Sequence, residues 1–153
     1  MTKKCLTWLE KNSKNSPNLV IDLEEVKNNY KKFISCFKGI KPFYAVKANP
    51  NKNIIIILNE LGCSFDCASI KEIKDCIKLG VDPKKISYGN TIKKSLDIKT
   101  AFLLGINLFA FDCEAQIMQE DLKFSAEYKF LMGGLNGHSQ KSLVVQRIFQ
   151  KNC

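Results

Sequence analysis

Pro42-Phe43-Tyr44-Ala45-Val46-Lys47-Ala48-Asn49-Pro50 is the stretch on which the reading of this chain turns. Phe43 to Val46 is a short apolar and aromatic run, the kind that makes a strand buried on both faces. Lys47 follows at once, then the small Ala48 and the turn-forming Asn49-Pro50. A lysine at the carboxyl end of a buried strand is costly to keep charged, so its amine is a candidate for a lowered pKa. That is the property a lysine needs to attack a carbonyl and form a Schiff base. Spacing alone is also satisfied by a strand-end lysine that reaches water, so the rest of the chain has to decide.

Outward from this stretch the chain repeats one unit. Phe43–Lys47 reads as the first strand, and Asn51 caps a helix through Leu61 that Gly62 closes. Ser64–Ala68 reads as the second strand, and Ser69 with Glu72 forms a capping box opening a helix to Leu79, closed by Gly80. Asp82-Pro83 turns the chain into a third strand, Lys85–Tyr88, which stops at Gly89-Asn90. Ser95 caps a helix through Leu104, Gly105 ends it, and Leu108–Phe111 is the fourth strand, followed by Asp112. Strands starting about 21 residues apart, each separated by a helix, predict right-handed βαβ units on a parallel sheet.

That alternation places Lys47, Asp66, Asn90 and Asp112 at or near the carboxyl ends of successive strands. This is the catalytic face of a (β/α)8 barrel, and the ligand edge of a doubly wound open sheet. No glycine-rich dinucleotide turn follows any strand, which favours the barrel. The fold expected is therefore α/β, a partial, truncated (β/α)8 barrel with about its first five strands. A whole barrel takes about 250 residues, so 153 build roughly half of one.

Before the barrel stretch, residues 1–18 read as a loosely packed lead, and 19–153 as the N-terminal portion of the barrel domain. Asn18–Asp22 is a short strand or extended entry. Asp22, with Glu25 three residues on, caps a helix whose apolar stripe Leu23, Val26, Tyr30, Phe33, Ile34 and Phe37 is expected to be core. Gly39 is placed to end it. Beyond the fourth strand, Glu114–Phe124 is a candidate helix. Glu127–Lys141 contains Gly133-Gly134, Gly137, His138 and Ser139 and lacks helical periodicity. Leu143–Ile148 reads as a fifth strand about 35 residues after the fourth.

Composition narrows the function classes. The chain is 45% hydrophobic and 25% charged, the balance of a soluble globular domain. No apolar run approaches the roughly 18 residues a membrane helix needs, and Met1–Ser16 lacks the apolar core of a secretory signal. The net charge of +9 comes from 24 basic residues scattered along helix faces, of which only Arg147 is arginine, so the footprint of a nucleic-acid binder is missing. The seven cysteines form no Cys-x-x-Cys pair, and His138 has no metal-ligand spacing to any of them. A reduced, cytoplasmic protein without zinc or disulfides is expected.

The residues resemble a known family. Pro42-Phe-Tyr-Ala-Val-Lys-Ala-Asn49 and Gly62-Cys-Ser-Phe-Asp-Cys-Ala-Ser69 with Glu72-Ile73 are similar to the N-terminal part of the pyridoxal-phosphate decarboxylases of ornithine, diaminopimelate and arginine. Lys85-Ile-Ser-Tyr-Gly-Asn90, Asp97-Ile-Lys99 and Gly105-Ile-Asn-Leu-Phe-Ala-Phe-Asp112 continue the likeness in order, over about Leu19 to Met118, and Phe65-Asp-Cys-Ala-Ser69 tilts it toward ornithine decarboxylase. The resemblance implies an alanine-racemase-like barrel carrying pyridoxal 5'-phosphate, followed by a β domain, in a homodimer. It implies a small basic amino acid as substrate and ornithine-to-putrescine chemistry in polyamine synthesis. Lys47 is then the Schiff-base lysine, displaced by the substrate amine, and Asp66 and Glu72 match positions lining the cofactor. For Glu72 the capping box with Ser69 is an equal explanation. The family's fifth-strand arginine falls at Arg147 if Leu143–Ile148 is the strand and the glycine-containing stretch before it an insertion or a splice artefact. It falls at Gly133 if Lys129–Met132 is the strand, and Arg147 is the preferred assignment.

The resemblance further implies that the phosphate loop, the acid partnering the pyridine nitrogen and the substrate-binding residues lie beyond Cys153, leaving this chain inactive alone. Its alternatives are an antizyme-inhibitor-like binding protein that competes for an antizyme-like regulator, and a sister decarboxylase of diaminopimelate, arginine or lysine.

Overall fold

A computed structural model describes residues 2–12, 17–37, 39–111 and 129–132, and it divides at Ile40 into two units.

The first unit, Met1–Ile40, holds α1 (Lys3–Asn12) and α2 (Leu23–Cys36). The expected loose lead is thus a helix. Thr2 starts it: its hydroxyl oxygen accepts the Cys5 N–H at 3.3 Å, and Cys5 is buried. The same hydroxyl donates to Asp22 Oδ2 at 2.7 Å, while Asp22 Oδ1 accepts the Glu24 N–H at 3.0 Å and caps α2. Residues 17–22 are the extended entry and form no strand. The α2 stripe does not become core. No residue of α2 is buried, Phe33 is 45% and Phe37 48% exposed, and their rings lie 4.7 Å apart. Ten-residue α1, the other described helix of the unit, offers too little apolar surface to cover the stripe.

The second unit, Lys41–Cys153, carries the repeat. Its elements are β1 (Phe43–Ala45), α3 (Lys52–Glu60), β2 (Ser64–Cys67), α4 (Ile70–Lys78), β3 (Ile86–Tyr88), α5 (Ser95–Leu103), β4 (Leu108–Phe111) and β5 (Lys129–Met132). All pairings are parallel and the sheet order is β1-β2-β3-β4-β5, without a reversal. A doubly wound sheet reverses its order at a switch point, so the singly wound order makes these five strands part of a barrel.

Local chemistry punctuates each unit as the sequence implies. Asn51 Oδ1 accepts the Asn53 N–H at 2.9 Å to start α3, and Ser69 Oγ accepts the Glu72 N–H at 3.2 Å to start α4. Past α4, Gly80 takes φ +85°, a conformation that L side chains rarely adopt, which lets Val81 N–H return to Cys76 O at 3.1 Å. At α5 the cap position is Lys94, without a side-chain bond, and Ser95 is the first helical residue.

The fifth strand departs from the preferred reading. The segment beside β4 is Lys129–Met132, in register from Leu108↔Lys129 to Phe111↔Met132, and not Leu143–Ile148. Its start continues the period of 43, 64, 86, 108 and 129. Leu143–Ile148, the candidate helix Glu114–Phe124, Asp112, Gly133 and Arg147 lie outside the described residues.

Alternation along the strands separates two faces. Phe65, Cys67, Ile86, Tyr88 and Phe109 are buried, as are Ile54, Ile55 and Leu58 of α3, Ile73 and Cys76 of α4, and Ile98 and Ala101 of α5. Cys67 Sγ lies 3.9 Å from Cys76 Sγ, which fixes this as the face covered by helices. That neighbouring thiol, together with burial, holds the Cys67 thiol far above its ordinary value. The opposite face carries Ala45, Asp66, Ser87 and Leu108 in lateral register.

Candidate active site

The β1–α3 connection places Lys47. β1 ends at Ala45, two residues earlier than expected, and Val46–Ala48 form a single 3-10 turn. Val46 anchors the turn with 1% exposure, and the Tyr44 hydroxyl donates to Asn49 O at 3.0 Å, closing it. Burial pushes the Tyr44 hydroxyl above its ordinary value near 10, in keeping with a donor that keeps its proton. Lys47 itself is exposed and has no hydrogen bond or ion pair among the described residues. The described residues therefore do not enclose it, although a strand buried on both faces was expected to. β1 lies at the edge of the described strands, and all three of its residues are only part-buried.

Asp66 stands on β2, paired with Ala45 on one side and Ser87 on the other. It is the sole charged residue of β1 to β4, and it is part-buried. A carboxylate in that setting needs donors. The Ser87 hydroxyl supplies one, donating to Asp66 Oδ1 at 2.5 Å. Gly89, just past β3, donates its N–H to Cys67 O at 2.8 Å and runs so close to Asp66 that a Cβ there would overlap the carboxylate.

Glu72 is engaged in a turn. Its Oε2 accepts the Ala68 N–H at 2.7 Å while its own N–H donates to Ser69 Oγ. This is the reciprocal pattern of a capping box, with the carboxylate reaching one residue beyond the cap. It locks the β2–α4 corner immediately after the Asp66 strand. A cavity of about 400 Å3 between α3 and α4 is lined by Val46, Ile55, Ser69, Glu72 and Leu79 among others. Neither Lys47 nor Asp66 lines it.

On the β3–α5 connection, Asn90 Oδ1 accepts the Ile92 N–H at 3.4 Å. Lys93 Nζ donates to Ala110 O and lies 5.4 Å over the Tyr88 ring, so this loop is tied to the carboxyl end of β4. Of the residues singled out in the sequence, Lys47, Asp66 and Asn90 thus sit at one edge of one sheet. Glu72 sits at the corner behind Asp66, and Arg147 lost its premise when Lys129–Met132 took the place beside β4. Ser87, Gly89 and Lys93 were not singled out. A step of 21 residues from Asp66 lands on Ser87, so the period already contained that neighbour.

The sequence profile of the family described as "Pyridoxal-dependent decarboxylase, pyridoxal binding domain" matches residues 23–129, which include all of β1 to β4. The chain belongs to that family. Ornithine decarboxylase of Nicotiana glauca is 40% identical over 101 residues, 66% of this chain and 23% of its own length. Antizyme inhibitor 2 of Xenopus laevis is 41% identical over 98 residues, 64% of this chain and 22% of its own. The crystal structure of lysine decarboxylase from Selenomonas ruminantium superimposes with a TM-score of 0.74 at 30% identity, covering 86% of this chain and 35% of that one. The chain therefore spans about a quarter of the length of the curated relatives it matches.

Proposed function

We propose that this protein is a pyridoxal-phosphate-dependent decarboxylase of a small basic amino acid, acting on ornithine to give putrescine, and that this chain contributes its Schiff-base lysine. The observation that carries the reading is Lys47, an exposed amine free of described partners, at the same sheet edge as a carboxylate held in place on β2. Ornithine is supported by the Nicotiana relative and by the wording Phe65-Asp-Cys-Ala-Ser69.

The donor set fits the aldehyde end of the cofactor. Lys47 would hold it covalently through Nζ, an uncommitted amine being what an aldehyde requires. Asp66, fixed through Oδ1, keeps a second carboxylate oxygen for the site, and Glu72 holds the corner that carries Asp66. When bound, pyridoxal phosphate supplies the electron sink for the pair released as carbon dioxide leaves. A cytoplasmic homodimer using residues from further along the family's length completes the proposal.

The test is to assay the complete native protein on a panel of ornithine, lysine, arginine and diaminopimelate, measuring carbon dioxide and the amine product. Putrescine from ornithine at the highest kcat/KM is expected. Turnover of another member of the panel would reassign the substrate. The Xenopus relative favours a second reading, a non-catalytic protein that binds an antizyme-like regulator. Copurification with such a partner, without pyridoxal phosphate, would favour it over catalysis.

A further inference from the structure

Among the described residues, Asp66 takes its side-chain hydrogen bond from the third strand. Ser87 is its lateral neighbour in the parallel ladder and is 5% exposed. A hydroxyl has one proton to give. Ser87 Oγ has two acceptors in reach, Asp66 Oδ1 at 2.5 Å and Phe65 O at 3.4 Å, and the carboxylate is the nearer by 0.9 Å. Two residues on, along the same face, comes Gly89. Its φ is not in the left-handed region occupied by Gly39, Gly62, Gly80 and Gly105, so its backbone makes no demand for glycine. The demand is for space, since a Cβ at this position would overlap the Asp66 carboxylate. Nor can the backbone retreat. Gly89 N–H is bonded to Cys67 O at 2.8 Å, directly after Cys67↔Tyr88, the last pair of the register.

We propose that Ser87 and Gly89 form a seat on β3 that sets the orientation of Asp66, and that they are positioning residues of the cofactor site. Ser87 takes Oδ1 and Gly89 leaves room for the carboxylate to lie against the strand, so Oδ2 is presented in one direction. This rests on the reading of Asp66 as a cofactor-site residue, and it adds two residues that reading did not contain.

The experiment is a fluorescence titration of the complete native apoprotein with pyridoxal phosphate, which reads affinity without turnover. It is paired with the visible circular dichroism of the bound cofactor, which reads its orientation. Ser87→Ala is expected to weaken affinity about tenfold, the loss of one hydrogen bond to a charged group at a part-exposed site. Ser87→Thr keeps the hydroxyl and is expected to stay within about threefold of the parent. Gly89→Ala is expected to weaken affinity at least as much as Ser87→Ala and to alter the dichroic band.

The same substitutions placed on Asp66→Ala separate positioning from general damage. With the carboxylate gone, Ser87→Ala and Gly89→Ala should each cost less than about twofold more, because a residue acting through Asp66 has nothing left to act on. Equal losses in both backgrounds would overturn the seat and leave a merely structural effect. Parent-like affinity of Ser87→Ala, while Asp66→Ala is weakened, would also overturn it and leave the role of Asp66 standing. No binding by the parent, or an Asp66→Ala variant indistinguishable from it, would instead overturn the cofactor-site reading on which the seat rests.

Discussion

Replacing Glu72 decides between the two explanations the sequence left equal. In the structure its carboxylate accepts the Ala68 N–H at 2.7 Å, and its own N–H closes the box on Ser69. A hydrogen bond to a charged group contributes roughly 1.5–3 kcal/mol. A carboxylate in the first turn of a helix adds about 0.3–1 kcal/mol against the helix dipole. Glu72 is only part-buried, so the lower end of each range applies, and Glu72→Ala should cost about 2 kcal/mol. Glu72→Gln retains a carbonyl acceptor but not the charge, and should cost about 1 kcal/mol. Urea denaturation of the complete native protein reads both costs, and amide hydrogen exchange at Ala68 reports the bond itself, since its N–H should lose protection in Glu72→Ala. Pyridoxal-phosphate affinity, measured where the variants are folded, should stay within about threefold of the parent, a difference of about 0.65 kcal/mol. The reasoning fails if Glu72→Gln keeps parental stability and Ala68 protection while cofactor affinity falls tenfold or more. Glu72 would then touch the cofactor, and its place in the turn would be incidental.

Two further predictions concern the fold. The Thr2 hydroxyl, bonded to Asp22, holds that carboxyl below its ordinary value near 3.8. A carboxyl depressed in the folded chain contributes stability that is present above the ordinary value and lost as pH falls through the lower folded one. That contribution should accordingly fade in acid, below about pH 3.8, and in Thr2→Val the titration of Asp22 followed by NMR should move up toward the ordinary value, taking the pH-dependent contribution with it; an unchanged Asp22 titration in Thr2→Val would contradict the link. Ser64 is fully buried and its Oγ has no partner among the described residues. Ser64→Ala removes an orphaned hydroxyl and should stabilise the protein by about 1 kcal/mol in urea denaturation, and a loss of stability would show that the hydroxyl has a partner after all.

Most of the barrel repeat could be read from the sequence because its punctuation is chemical. Asn51, Ser69 and Asp82 each cap the helical turn after them, and Gly62, Gly80 and Gly105 close the helices before them, so the strands between were fixed before any packing was known. β5 was hidden by competing propensity. Leu143–Ile148 is the more β-branched run, and Lys129 with Gly133-Gly134 breaks the apolar pattern of the segment that pairs with β4. Strand propensity is a statement about fit to a half-buried surface, and the ladder with β4 outweighs it. The step of 21 residues was the better guide.

The site was legible as a set of strand ends and illegible as a set of contacts. Lys47 could be named because a cation directly after Phe43–Val46 is conspicuous, but the turn Val46–Ala48 that presents it, and its exposure there, are not written in any residue type. Ser87, in a strand of three residues, carries no signal of its own. Only the parallel register, which sets it level with Asp66, turns its hydroxyl into a partner of the carboxylate. In the first unit, α1 was masked by its polar composition, although Cys5, Trp8 and Leu9 already lie at helical spacing.

The central claim is that Lys47 carries the cofactor. Borohydride reduction of the complete native protein loaded with pyridoxal phosphate would convert the lysine–cofactor bond to a stable amine, and peptide mass mapping would locate it. The account predicts the label on Lys47 within Pro42–Pro50, and its disappearance in Lys47→Ala. A label on another lysine, or none at all from a loaded protein, would contradict it.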